Sequence, residues 1–289
     1  MSEQALSSKK KSMGAEKFHA FMKNKLAVAG AMLLIAMILL VALSPVLAPY
    51  GYDEQNYEVA RQTPSFHHLA GTDELGRDIF SRILYGGRVS LTIGIISVGI
   101  GLLCGGSLGI LAAYYGGITE TVLMRIIDIL MAIPSIILAI SICAALGSGI
   151  VNTMIAVGIS SIPTYARVFR SAVISEKSKE YIEASRAVGA GNMRIILRHI
   201  LPNSLAPVIV QASLGVAQAI TTAASLSFIG LGIQPPNPEW GALLSGGRQY
   251  IRDYPHMVVY PGIAIMLTVL ALNLIGDGLR DALDPRLKR

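Results

Sequence analysis

Side chains able to do chemistry are scarce in this 289-residue chain, and most lie outside its apolar runs. Ionisable groups inside such runs would mark a proton relay or an ion path. Only Arg125 and Asp128 approach that, three residues apart on one helix face, where they can neutralise each other. His67-His68 is the one histidine pair, and it reads as part of a solvated loop instead of a metal site. Arg77, Asp78, Arg82 and Arg88 have the spacing of a salt-bridged network that fixes a loop. Asp277 and Asp281 read as interfacial caps of the last helix, and Cys104 and Cys143 as small apolar fillers. There is no His-Glu-x-x-His or Gly-x-Ser-x-Gly motif for proteolysis and no Gly-x-x-x-x-Gly-Lys-Ser/Thr loop for ATP hydrolysis. The chain therefore offers no catalytic residues, no metal ligands and no cofactor-binding residues, and it is not read as an enzyme.

The informative polar segment runs from Arg167 to Arg198. It has the pattern of a short helix. Ser178 can cap its N-terminus, and Glu180 and Glu183 lie near that end, where the helix dipole favours them. Tyr181, Ala184, Ser185 and Val188 fall at i, i+3, i+4 and i+7, one narrow face of mostly small residues. Gly189 then stands where a terminating C′ glycine belongs. Such a helix can be a docking knob for a soluble partner or a surface helix lying on lipid.

The elements that must position this segment follow from composition. Hydrophobic residues make up 53% of the chain, charged residues 15%, and the mean hydropathy is +0.57. Soluble domains carry about 25% charged residues, so the solvent here is lipid, and a disordered chain, a disulfide scaffold or a soluble enzyme is excluded. A spanning helix needs roughly 20 mostly apolar residues. The uncharged runs are Leu26–Leu43, Val89–Thr119, Ile129–Ala166, Ile200–Pro238 and Tyr254–Gly276. The third is too long for one helix and divides at Gly147-Ser148-Gly149, which gives six spans. The first run is too long for a cleaved leader and reads as a retained span. Gly101, Gly105 and Gly109 make two small-xxx-small steps, which permit close helix packing.

Six spans put both termini on one side. That side holds 18 of the 24 basic residues against ten carboxylates, a net of +8, while the other nets −2. The positive-inside rule makes the first side cytoplasmic. The basic excess records topology and contact with membrane lipid; no reader motif for nucleic acid accompanies it.

Three stretches then carry a family resemblance. Glu-Tyr-Ile-Glu-Ala-Ser-Arg-Ala-Val-Gly at 180–189, followed by His199-Ile200-Leu201-Pro202-Asn203, resembles the EAA loop of bacterial ABC-importer permeases. Glu183, Ala184, Gly189 and Leu201-Pro202 match that pattern; Ser185 replaces its second alanine, and His199 stands where an aliphatic residue is usual. Gly71–Asp78 with Ser81-Arg82 and Gly86–Leu91, and Leu226–Gly232 with Pro235-Pro236 and Pro238–Gly241, resemble the dipeptide/oligopeptide/nickel group of those permeases. The closing Asp284-Pro285-Arg286 is similar to that group too.

The resemblance implies an all-α polytopic bundle of the type I importer kind, with a cytoplasmic coupling helix, in a bacterial inner membrane. Residues 1–88 would comprise the N-terminus, first transmembrane helix and extracytoplasmic loop; residues 89–289 would form a five-helix permease core, with the EAA loop at about 167–202. Implied partners are a second homologous permease subunit, two ATP-binding subunits that hold ATP and magnesium, and an extracytoplasmic substrate-binding protein. Glu180, Tyr181, Glu183, Ala184, Ser185 and Gly189 would dock an ATPase. Trp240 and Tyr250 would meet the binding protein, with an interfacial anchor the other reading of Trp240. The implied cargo is a di- or oligopeptide, with nickel chelates, glutathione or oligosaccharides as alternatives. A secondary transporter would need intramembrane charges that are missing here, and a passive scaffold would not need a capped knob.

Overall fold

The computed structural model describes residues 18–283. Lys9, Lys10, Lys11, Lys17 and the Asp284-Pro285-Arg286 motif lie outside the described residues. Within them the chain is helical, with one isolated bridge, Thr72–Asp78, as the sole β pairing among the described residues. The helices of eight residues or more are α1 (Lys25–Ala42), α2 (Ile79–Tyr115), α3 (Gly117–Met131), α4 (Ser135–Leu146), α5 (Ile150–Lys177), α6 (Glu180–Ala187), α7 (Asn192–Phe228), α8 (Trp240–Gly247) and α9 (His256–Leu283).

Most spans reach beyond the uncharged runs that announce them. α2 begins at Ile79, where the Asp78 carboxylate accepts from the Ser81 N–H at 2.7 Å. Arg88, inside this helix, donates to the carbonyls of Val41 and Ala42 at 3.1 and 2.8 Å and so caps the end of α1. α7 starts at Asn192, eight residues before the apolar run, through a π-turn at Ile196–Ile200. α9 continues to Leu283, so Asp277 and Asp281 do not cap it; Asp281 instead accepts from the Asn24 side chain at the start of α1. That contact agrees with the way α1 lies along α9, where a Cβ on Gly30 would come within 2.7 Å of Leu274.

The glycine steps do what their spacing suggests. α2 carries a π-turn at Gly101–Gly105 and packs along α5. A Cβ on Gly105 would run into the Ile162 carbonyl, and one on Gly109 into that of Ala166. The core between α2, α4, α5 and α7 includes Ile93, Cys143, Val157, Tyr165 and Leu226. Cys143 fills that core, whereas Cys104 is exposed, and both thiols are free.

The third span is not one helix. α3 and α4 meet at 86° across a break that ends at Pro134, which has no N–H to continue a helix. At 1.5 Å per residue they measure about 22 and 18 Å, so neither alone crosses about 30 Å of hydrocarbon. The division at Gly147-Ser148-Gly149 is present, with φ of +86° at Gly147 and +144° at Gly149. Among the described residues four helices, α1, α2, α7 and α9, are long and apolar enough to cross a membrane, and the bent pair makes a fifth if it counts as one. The expected sixth is α5, 28 residues long but charged in its last third.

Pairings of charged groups differ from expectation in three places. Asp128 accepts from Arg167 of α5 at 2.7 Å, so it does not serve Arg125. His68 is buried, bonds Asp78 at 3.0 Å and stacks on Tyr50, so it is not solvated. In the loop network Arg77 pairs with Asp73 at 2.7 Å and Arg82 reaches the Tyr52 carbonyl at 2.7 Å, while Arg88 turns away to α1.

Candidate functional site

α6 is an eight-residue helix with Glu180 and Glu183 in its first turn and Arg186 in its last, the polarity that its dipole favours. Its N-cap is Lys179, with no side-chain cap; the Ser178 hydroxyl bonds back to Ser175 and not to α6. The C-terminus is a Schellman closure. Gly189, at φ +80°, donates to the Arg186 carbonyl at 2.9 Å, and Ala190 donates to that of Ser185 at 3.1 Å.

One apolar side chain seats the helix. Ile182 is fully buried among Ala113, Tyr114, Val173, Ile195, Ile196 and Ile200. Those residues belong to the end of α2, the end of α5 and the start of α7, so one buried apolar cluster joins Ile182 to the ends of three long helices. Polar bonds reinforce the seat. Lys177, the last residue of α5, donates to the carbonyls of Ala113 and Tyr114 at 3.2 and 2.6 Å. The Tyr114 hydroxyl donates to Asn192 at 2.8 Å, and the Arg186 guanidinium lies 5.7 Å from the Tyr114 ring. Tyr181 donates to the buried Glu176 carboxylate, and Asn203 of α7 donates to the Tyr181 oxygen at 3.2 Å. Desolvation, then the hydrogen bond to Glu176 and its charge, push the Tyr181 hydroxyl up to about 12.

The opposite face is open. Glu180, Glu183, Ala184 and Gly189 are exposed, Ser185 is half-buried, and Val188 is 85% exposed. Tyr181 is 37% exposed yet bonds inward through its hydroxyl, so the expected docking set divides: Glu180, Glu183, Ala184, Ser185 and Gly189 are presented, while Tyr181 also anchors. The sequence reading missed Ile182, Glu176, Lys177 and Tyr114. Ile182 had a signal, as an isolated aliphatic residue in a charged helix; the other three had none.

At the far end of α2, Trp240 is fully buried, its indole N–H donating to the Ile83 carbonyl at 2.9 Å. In this structure it has no free face for a binding protein or for lipid; it is a core pillar. Glu239 beside it caps α8 by accepting from Gly241 and Ala242, both at 2.9 Å. Tyr250 is half-buried against Ala70, Ile79 and Met257, with the Arg61 guanidinium 5.5 Å from its ring.

No pair of these groups forms a nucleophile, a general base or a metal set, and no group of three or more potential metal ligands occurs among the described residues. What the arrangement can do is mechanical, because a load on α6 reaches α2, α5 and α7 together.

Residues 105–289, which include the whole of this seat, match the family described as binding-protein-dependent transport system inner membrane component. The chain belongs to this family. Residues 12–64 of the permease also match the N-terminal transmembrane domain of oligopeptide transport permease C. The permease is 50% identical over 273 residues to the dipeptide transport system permease protein of Alkalihalophilus pseudofirmus, covering 94% of this chain and 90% of the relative. It is 47% identical over 274 residues to the glutathione transport system permease protein of Pectobacterium atrosepticum (94% and 91% covered). It is 46% identical over 279 residues to the di/tripeptide transport system permease protein of Pseudomonas aeruginosa (94% and 92% covered). In fold it is similar to the inward-facing MetNI methionine ABC transporter, with a TM-score of 0.57, 21% identity, and 70% of this chain and 96% of that chain covered. The permease is thus a multi-pass membrane subunit of an ABC transport system with the type I importer fold, and its own role is transport and not catalysis.

Proposed function

We propose that this permease forms half of the translocation pathway of an ATP-driven importer of di- or oligopeptides. A second, homologous permease forms the other half, two ATP-binding subunits hydrolyse ATP, and an extracytoplasmic binding protein delivers cargo. Both termini and α6 face the cytoplasm, as the basic excess on that side supports, and α5 supplies the sixth span. α6 seats in a groove of an ATPase subunit through Glu183 and its small neighbours Ala184 and Ser185. When the ATPase pair closes, α6 moves as a rigid body with the ends of α2, α5 and α7, and the bundle rocks between inward- and outward-open states.

The observation that carries this reading is the buried cluster that joins Ile182 to the ends of three long helices, with Glu183, Ala184 and Val188 exposed. A passive surface helix would need no such base. Peptide as cargo is supported by the relatives named for dipeptide and di/tripeptide transport. A second reading, glutathione, is favoured by the 47% identical relative named for that cargo, and glutathione is itself a tripeptide.

The test is co-purification followed by uptake. Two ATPase chains and a second permease are expected to come with this protein. The reconstituted complex with its binding protein is expected to take up dialanine or glutathione only with ATP. An active chain recovered alone would overturn the reading.

A further inference from the structure

The middle of the bundle carries a polar stripe that the docking helix does not explain. On α5, Ser160, Ser161, Thr164 and Tyr165 share one helix face, and on α7, Gln211, Gln218 and Thr222 share another. The two faces meet along one groove of about 300 Å³. α5 has its midpoint at Pro163-Thr164, and the segment Leu201–Phe228 of α7 has its midpoint at Leu214-Gly215. At 1.5 Å per residue, the two glutamines therefore lie within about 6 Å of the middle of that segment, inside the uncharged run Ile200–Pro238.

Carboxamides at that depth would be unfavourable against hydrocarbon, because lipid offers nothing to their donors and acceptors. Gln218 is nonetheless exposed and Gln211 half-buried. The Tyr165 hydroxyl is a second, independent sign. The residue is 1% exposed, lines the groove, and its hydroxyl has no hydrogen-bond partner. It lies against Gly215, where a Cβ would collide with it. Ser160 and Ser161 donate to their own helix, at 2.9 Å to Val157 and 2.7 Å to Gly158, which leaves oxygen lone pairs free to accept. No charged side chain lines the groove. Gln211 and Leu214 also line a second hollow of about 500 Å³ that reaches Asn203 and Arg280, and Asn203 is the residue that bonds Tyr181 of the docking seat.

We propose that this neutral stripe is the chain's share of the cargo route and that it contacts cargo through uncharged amide groups. A glutamine carboxamide both donates and accepts, so it complements the N–H and C=O of a peptide unit without reading side-chain charge. The proposal rests on the transport role proposed above, and it goes beyond that role by naming the surface and the chemistry of contact.

The test uses the assembled transporter in proteoliposomes, with Cys104 and Cys143 replaced by alanine. Single cysteines are introduced as Gln218→Cys and Thr222→Cys, with Ile35→Cys as the exposed apolar control on α1. A charged, water-soluble methanethiosulfonate reagent is expected to label Gln218→Cys and Thr222→Cys at least about tenfold faster than Ile35→Cys, because a charged reagent enters hydrocarbon poorly. Gln218→Cys is itself expected to lower ATP-driven dialanine uptake at least about threefold, the scale of one lost hydrogen bond, labelling of either cysteine to lower it further with ATP hydrolysis retained, and excess dialanine to slow labelling. Labelling as slow as the Ile35→Cys control, or fast labelling without loss of uptake, overturns the groove as route when the unmodified complex transports normally. Absence of ATP-driven uptake in the unmodified complex overturns the transport role itself, before any cysteine is introduced.

Discussion

Lys177 donates through its ammonium group to the backbone carbonyl of Tyr114 at 2.6 Å, so the last residue of α5 caps the last turn of α2. The same ammonium lies 5.8 Å from the Tyr114 ring, and Arg186 of α6 approaches that ring as well. Three elements are thereby pinned at one tyrosine.

Replacing Lys177 with methionine keeps the stem and removes the cap. A hydrogen bond from a charged group contributes about 1.5–3 kcal/mol, so the end of α5, from which α6 follows, is expected to loosen from α2 by about 2 kcal/mol while the bundle stays folded. In the reconstituted complex this predicts unchanged assembly and ATP hydrolysis that no longer drives full uptake. Parallel measurement of both rates checks it, and equal loss of the two contradicts it.

Gly189 sits at φ +80°, and a Cβ placed on it would meet nothing within 4 Å, so its constraint is backbone and not space. Left-handed backbone costs an L-residue about 1–2 kcal/mol, and a β-branched side chain fits it worst. Gly189→Val should uncouple hydrolysis from uptake, Gly189→Ala should do so mildly, and Gly189→Asn, which tolerates this region, should be near wild type. Asparagine and valine behaving alike would show that the turn does not matter.

Tyr181 gives a pH prediction with a definite sign. Its hydroxyl is raised from the ordinary 10 to about 12, so the fold favours the protonated form. The stabilisation is fully present below about pH 10 and is lost as pH rises from about 10 to about 12. Hydrogen exchange of the α6 amides should be indifferent to pH through the physiological range, once intrinsic rates are corrected, and should then accelerate on that alkaline flank. Tyr181→Phe should lack the alkaline step.

Trp240 tests the far end of the molecule. Trp240→Phe keeps most of the apolar volume but removes the indole bond to the Ile83 carbonyl, which retains its helical partner, a loss of about 0.5–1.5 kcal/mol. Trp240→Ala adds a cavity and should cost about 3–5 kcal/mol. Thermal unfolding in detergent should fall in that order, and an alanine variant as stable as wild type would mean that the pillar carries no load.

Much of the bundle is legible in the sequence because lipid imposes a simple rule on long uncharged runs. The same rule hides the span ends. Arg82, Arg88, Arg194 and Arg198 look like loop residues by charge, yet they lie within helices; Arg88 finds carbonyls that close the preceding span. Pro134 is the visible mark of the break between α3 and α4, but the apolar stretch around it masks the change of direction. Gly189 can be read locally because a Schellman closure depends on neighbours in sequence. Pairs such as Asp128–Arg167, His68–Asp78 and Tyr181–Asn203 cannot, since their partners lie ten to 39 residues away and are chosen by packing. The exposed side of α6 is therefore legible, and its foundation is not.

Coupling as proposed requires the open face of α6 to receive an ATPase subunit. The direct measurement is cross-linking from Ala184→Cys, in a chain whose Cys104 and Cys143 are alanine, using a short bifunctional thiol reagent in the assembled, transporting complex. One dominant product is expected, containing an ATP-binding subunit and changing in yield when ATP closes the ATPase pair. A complex that transports normally yet gives no such product, or gives one only with lipid or the other permease, would contradict it.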